Sequence, residues 1–152
     1  QIDVLKAAQF VSDEGMAYPI LLGDKEVIES LKEELEFDAE VPIIDPSDDD
    51  QQARRDEFAK LLWSRGERDG VQRYSASVRM MHRNYFGPMM VLSGEADAMI
   101  SGYSRSFPKV LLPVLETVGR GPGIKRAATM NIMMTPRGPL FLADTAINVN
   151  LS

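Results

Sequence analysis

Tyr18-Pro19-Ile20-Leu21-Leu22-Gly23-Asp24, then Val27, Ile28, Leu31 and Leu35, then Val41-Pro42-Ile43-Ile44 decide the fold class. The first run is short and apolar and ends in Gly-Asp, the pattern of a buried strand entering a turn. The spaced apolar residues that follow have mostly Glu and Lys on their other face, which predicts an amphipathic helix. The last run predicts a second strand, with Pro42 confining it to an edge or a strand start. Strand, helix, strand is the unit from which an α/β sheet with crossover helices is built.

Outward from this unit the alternation continues. Val4, Ala8 and Val11 recur at i, i+4, i+7, predicting a helix over residues 2–14 closed by Gly15. Asp45-Pro46-Ser47-Asp48-Asp49-Asp50 is a surface loop by composition. Phe58, Leu61 and Leu62 fall on one stripe of a helix over 54–64, which Gly66 and Gly70 interrupt before helices at 71–82 and 84–93. Ala98-Met99-Ile100 reads as a further strand ending at Ser101-Gly102, and Val110, Leu111, Val114, Leu115 and Val118 mark another helix. Two apolar runs, 127–134 and 139–142, are joined by Thr135-Pro136-Arg137-Gly138, whose Pro and Gly placement suits a type I turn and predicts a hairpin. No internal repeat or low-complexity linker interrupts the chain.

Composition bounds the chemistry. The 152 residues are 44% apolar and 26% charged, the balance of a soluble globular protein and enough chain for one α/β domain or part of a larger one. With no cysteine and a single histidine, His82, the chain has no disulfide framework, thiolate zinc site, cysteine nucleophile or histidine-rich metal site. No apolar run approaches the roughly 18 to 20 residues that span a bilayer. The opening Gln1-Ile2-Asp3-Val4-Leu5-Lys6 lacks a signal-peptide layout and reads as the inside of a longer, cytoplasmic polypeptide.

The net charge of −6 is uneven: residues 24–50 hold 12 acids and 2 bases, the rest 15 bases and 11 acids. Much of the basic excess lies in Arg54, Arg55, Lys60, Arg65, Arg68, Arg73, Arg79 and Arg83. Such a surface is either a solvated face or a meeting place for an anion such as phosphate or a coenzyme. No nucleic-acid recognition motif accompanies it, and aromatics are only 7%, so nucleic acid is not an expected partner.

Gly102-Tyr103-Ser104-Arg105-Ser106 follows one predicted strand and precedes a helix, where α/β proteins bind ligands beyond strand ends. Ser104, Arg105 and Ser106 offer hydroxyl and guanidinium donors there; the plainer reading is a polar loop with Ser106 as helix cap. The loop lacks both the Gly-x-Gly-x-x-Gly fingerprint and a Walker lysine. His82, beside Arg79, Arg83 and Asn84, is a candidate base or a surface residue. Met80, Met81, Met89, Met90, Met99, Met130, Met133 and Met134 suit core filling or a subunit interface better than a cofactor box. Asp144, with Asn148 beyond it, is placed to orient an arginine or accept a proton, with a helix N-cap as the plainer reading.

Three stretches then carry a resemblance: Arg54-Arg55-Asp56-Glu57-Phe58-Ala59 through Trp63-Ser64-Arg65, Met81-His82-Arg83-Asn84-Tyr85-Phe86-Gly87-Pro88-Met89-Met90-Val91, and Gly94-Glu95-Ala96-Asp97-Ala98-Met99-Ile100-Ser101-Gly102. Together with Ala17–Gly23 and Phe141–Asn148, and in this order, they resemble the phosphate acetyl/butyryltransferase family. The resemblance implies a three-layer α/β/α open sheet forming one lobe of a two-lobed phosphotransacetylase-like (isocitrate/isopropylmalate dehydrogenase-like) fold. Residues 1–152 would be part of the first lobe, without its first strand and without the C-terminal half. It also implies a coenzyme A cleft between the lobes and an aspartate base and serine and arginine groups in that C-terminal half, so no catalytic residue is assigned here.

Within the resemblance, Arg65 matches a family arginine that holds phosphate, while the position of a second, before Pro113, is Leu112. The wording from Arg83 to Val91 and the tail from Asn131 to Asn150 are most similar to the version fused behind NADP-dependent malic enzyme. The preferred expectation is therefore a regulatory acyl-CoA-binding and dimer-forming domain of such an oxidoreductase, which decarboxylates malate to pyruvate. NADP and a divalent metal, Mg or Mn, would sit on the malic enzyme part, no cofactor on this segment, and acetyl-CoA would act as effector. The alternatives are a working phosphate acetyltransferase, using acetyl phosphate and coenzyme A, and a purely structural homo-oligomerisation domain. Expected ligand contacts are Arg65, Ser104, Arg105 and Ser106, with His82, Arg83, Asp144 and Asn148 in second rank; no metal or membrane contact is expected.

Overall fold

In the computed structural model, which describes residues 2–144 and Ile147 (Asp69 by its backbone alone), the chain begins with helix α1, Ile2–Asp13. Leu5 and Ala8 face inward from it, and Gly15 ends it in a left-handed conformation. Ala8 of the expected stripe is buried, but Val4 is exposed and Leu5 takes its place. Strand β1, Leu21–Leu22, is followed by helix α2, Lys25–Glu34, and strand β2, Ile43–Ile44. The two strands pair in parallel, Leu21 with Ile43 and Leu22 with Ile44, so the central stretch is the expected strand–helix–strand unit. Asp24 starts α2 by accepting the Val27 N–H on its carboxylate at 3.0 Å.

Both strands are shorter than the apolar runs that predicted them. Leu21 N–H donates to Pro42 O at 2.9 Å, but Pro42 has no N–H to donate, which ends the ladder there. Leu5, Ala8, Leu21, Phe37 and Val41 form a small core under this unit.

After one 3-10 turn at Asp49–Gln51, helix α3 runs Gln52–Gly66 and a second 3-10 turn, Glu67–Asp69, ends at Gly70 in the left-handed region. Helices α4, Arg73–Arg79, and α5, Arg83–Ser93, follow, and Gly94 closes α5, again left-handed. Phe58, Leu62, Met80, Phe86 and Met89 are essentially sealed from solvent in the larger core, with Phe58 and Phe86 rings edge to face at 5.1 Å between centroids. Met80, Met89 and Met90 are thus core filling.

Residues 98–100, expected as a strand, form no regular element and pair with no strand among the described residues, and Ile100 is fully exposed. An apolar run becomes a strand only where a partner's N–H and C=O groups are available. Helix α6, Phe107–Thr117, carries Pro113 inside it, and the Thr117 hydroxyl donates to Pro113 O at 2.7 Å.

The chain divides into two compact units, Gln1–Val118 and Gly119–Ser152. The second holds strands β3, Met130–Thr135, and β4, Gly138–Ala143, paired antiparallel across the Pro136-Arg137 turn, which is the expected hairpin. No helix among the described residues is long and apolar enough to cross a membrane.

Candidate anion site at the strand ends

Gly23 ends β1, its N–H held by Ile44 O at 3.0 Å. Helix α5 begins beside that point. His82 precedes it in extended backbone, and the His82 carbonyl accepts the N–H groups of Tyr85 and Phe86 at 2.8 and 3.0 Å. The Arg83 guanidinium lies over the β1 end: its Nη1 is 3.5 Å from where a Cβ on Gly23 would stand. Asn84 fastens the neighbouring elements to α5. Its Oδ1 accepts the Ser101 hydroxyl at 3.2 Å, and its Nδ2 donates to Lys109 O, in the first turn of α6, at 3.3 Å. Sequence reasoning passed over Asn84 as a site residue; its only signal was a polar side chain at the start of a helix.

The loop so fastened carries Ser104, Arg105 and Ser106, all exposed. Ser106 does precede α6, and its carbonyl accepts Lys109 N–H at 3.0 Å, yet its hydroxyl makes no cap bond and stays available. Tyr103 anchors the loop by donating its hydroxyl to Asp3, a bond that holds the phenol proton and pushes its pKa up. His82 is exposed and makes no side-chain cap bond.

Arg65 is elsewhere. It lies exposed in the last turn of α3 and donates from Nη2 to Val118 O, the C-cap of α6, at 3.2 Å. The 11 residues of α6 separate that end from the Ser104–Ser106 loop by about 16 Å at 1.5 Å per residue. A guanidinium on free C-terminal carbonyls is favourable on its own account. Asp144 belongs to the second unit, where it follows β4 at φ 54° with its N–H on Thr129 O, and Asn148 lies outside the described residues.

Most of the basic stretch is spoken for within the fold. Arg54 pairs with Glu95 and covers the Phe86 ring at 5.3 Å. Arg55 is buried and donates to Pro46 O at 2.6 Å, to Asp48 O, and to Gln52 Oε1 at 2.8 Å. Arg73 stacks on Trp63 at 4.0 Å. Arg79 bridges to Glu116 at 3.0 Å, and Glu116 also accepts the Tyr85 hydroxyl at 2.5 Å. Partial burial, then the bond to Glu116, push the Tyr85 phenol up to about 12. Between α5 and α6 runs a groove of about 310 Å³ lined by Pro88, Val91, Met99, Val110, Val114 and Val118 with Ser101, a surface suited to carbon rather than to charge. Among the described residues no group of three or more Asp, Glu or His is placed to hold a metal ion.

A family model described as phosphate acetyl/butaryl transferase matches residues 1–151.

The chain belongs to the phosphate acetyl/butaryl transferase family.

Family relatives include the phosphate acetyltransferase of Helicobacter pylori, 32% identical over 98% of this chain and 28% of that protein. That of Thermoanaerobacterium thermosaccharolyticum is 31% identical over 95% of this chain and 44% of that one. A phosphotransacetylase from Streptococcus pyogenes superposes with a TM-score of 0.82, 29% identical over 99% of this chain and 45% of that chain. EutD phosphotransacetylase from Staphylococcus aureus gives 0.76, 28% identical over 97% and 44%. The chain thus spans less than half the length of these relatives, and its α/β fold is theirs.

These relatives correct the expectation of a regulatory domain of NADP-dependent malic enzyme. Those named are phosphate acetyltransferases, not oxidoreductases, and none is a malic enzyme fusion. The wording that suggested the fusion has a simpler cause. Phe86, Gly87, Pro88, Met89 and Met90 are all buried, so core packing within this chain accounts for that stretch of α5 without reference to what the domain is attached to. NADP and the divalent metal were expected only on the strength of that fusion.

Proposed function

We propose that the protein carrying this segment is a phosphate acetyltransferase, moving an acetyl group between acetyl phosphate and coenzyme A. The observation that carries the reading is the collinear family match over residues 1–151, shared with relatives that bear that activity in their names. In such a transfer the coenzyme A thiol gives up its proton and its sulfur attacks the acetyl carbon. The bond from that carbon to the phosphate oxygen then breaks, leaving a thioester and inorganic phosphate.

The segment's part in this is to hold the phosphoryl group. Ser104 and Ser106 hydroxyls and the Arg105 guanidinium, exposed and without side-chain partners among the described residues, present donors from a loop whose two flanks Asn84 ties to the start of α5. Charge-assisted donors to phosphate stabilise the leaving group as its negative charge grows. Leu112, exposed on α6, offers no guanidinium, so Arg105 is the loop's cation for this role. Arg65, at the other end of α6, acts by holding that helix in place.

The test is acetyl-CoA formation from acetyl phosphate and coenzyme A by the intact protein, followed as thioester absorbance. Steady formation, with kcat/KM reduced about 10-fold or more by Arg105→Ala, is the expected result. No thioester formation by the unmodified protein overturns the reading.

A further inference from the structure

We propose that Arg83, over the Gly23 turn at the end of β1, is a second phosphate-binding group of this site, distinct from the Ser104–Ser106 loop. Among the arginines from Arg54 to Arg83, only Arg68 and Arg83 have no hydrogen bond, ion pair or ring contact among the described residues. Arg68 stands in solvent, where water satisfies it. Arg83 is half-buried. Its guanidinium nitrogens are still open to solvent, so its donors are held in place by the half-buried stem and are committed to no group of the fold, which leaves them for an anion.

The nearest acids in sequence to the strand ends do not serve as that anion. Asp24, after β1, accepts the Val27 N–H, and Asp45, after β2, accepts the Ser47 N–H and hydroxyl at 2.8 and 2.6 Å. Neither forms an ion pair with Arg83. Gly23 contributes by what it lacks. With no side chain there, the space between Arg83 Nη1 and Ile28 Cδ1, 3.5 and 3.4 Å from where a Cβ would stand, is left open beside the guanidinium's N–H donors. The ligand class is a phosphoryl group. Its bearer, acetyl phosphate or a phosphate of coenzyme A, rests on the reading of the protein as a phosphate acetyltransferase; the anion site itself does not.

Two measurements on the intact protein separate the questions. The first is the rise in melting temperature on adding inorganic phosphate at fixed ionic strength, for the unmodified protein, Arg83→Gln and Arg83→Lys. The expected result is a rise that Arg83→Gln reduces or abolishes and Arg83→Lys partly restores, since lysine keeps the charge and loses the fork. An equal rise in all three, or none in the unmodified protein at saturating phosphate, overturns the proposal. The second is steady-state kinetics. Arg83→Gln is expected to raise one substrate's KM about 10-fold or more with kcat changed far less, the affected substrate identifying the bearer. If both KM values are unchanged the proposal fails. If the unmodified protein transfers no acetyl group, the transferase reading fails, and the phosphate measurement still decides Arg83.

Discussion

Arg55 shows how a single residue can be read from sequence as one thing and used by the fold as another. In sequence it is one cation in a basic stretch; in the structure it is 5% exposed and its donors close the acidic loop 46–48 onto α3. Replacing it with methionine would fill the space but leave the carbonyls of Pro46 and Asp48 without their donor. Arg55→Met is expected to destabilise the protein by about 1–3 kcal/mol, read as a lower urea midpoint at unchanged slope. Arg55→Lys would recover only part of this, because an ammonium cannot span acceptors placed for a planar fork. An unchanged midpoint for Arg55→Met would show these bonds to be dispensable. Which arginines of the stretch are structural was not legible in the sequence. Arg54, Arg65, Arg73 and Arg79 find partners 41, 53, 10 and 37 residues away in the chain, separations no local pattern encodes.

At the scale of elements, α5 is the one on which the site depends, and two features hold it. One is Gly87, where a Cβ would come within 2.9 Å of Met99 Sδ and 3.1 Å of Leu22 Cδ1, so that α5 packs close on β1. The other is the Arg79–Glu116–Tyr85 cluster that ties α4 and α5 to α6. Gly87→Ala presses on the ends of flexible side chains. Gly66→Ala would set a methyl 2.4 Å from Cγ2 of Val71, a β-branched residue with little freedom to turn. Gly66→Ala is therefore expected to be the costlier, about 1–3 kcal/mol, with Gly87→Ala below it in the same denaturation series. The reverse order would mean that the helix–strand contact is the stiffer one.

Tyr85 makes a pH prediction. Its folded pKa of about 12 lies above the ordinary 10.0, so the folded state keeps its proton longer. Its contribution is intact below pH 10 and is lost as pH climbs from 10 to 12. Tyr85→Phe should flatten the fall in stability over that window, and identical alkaline profiles for the two proteins would refute the assignment. Helices α2, α3 and α6 and the hairpin were legible from local signals, since apolar spacing, a capping Asp and a Pro-containing turn act within a few residues. The strand expected at 98–100 was not, because strand formation depends on a partner and 98–100 has none among the described residues.

For the molecule as a whole, the division at Val118 and Gly119 sets off a unit whose two-stranded sheet has apolar residues exposed on both faces, Met130, Ile132 and Met134 on one strand face and Met133 on the other. A lone two-stranded ribbon is marginal in water. A peptide of residues 126–144 is therefore expected to show rapid amide exchange and no cooperative melting; a protected, cooperatively folded peptide would show the pair to be sufficient alone. By itself the sequence determined the α/β class, the family resemblance and the polar loop 104–106, because periodicity, turn residues and motif order are properties of neighbouring positions. Only the tertiary structure decided that Arg65 serves the far end of α6, that Asn84 gathers the loop, and that Arg83 is half-buried with no partner among the described residues. Those facts follow from which distant side chains meet, and chain folding, not spacing along the chain, settles that.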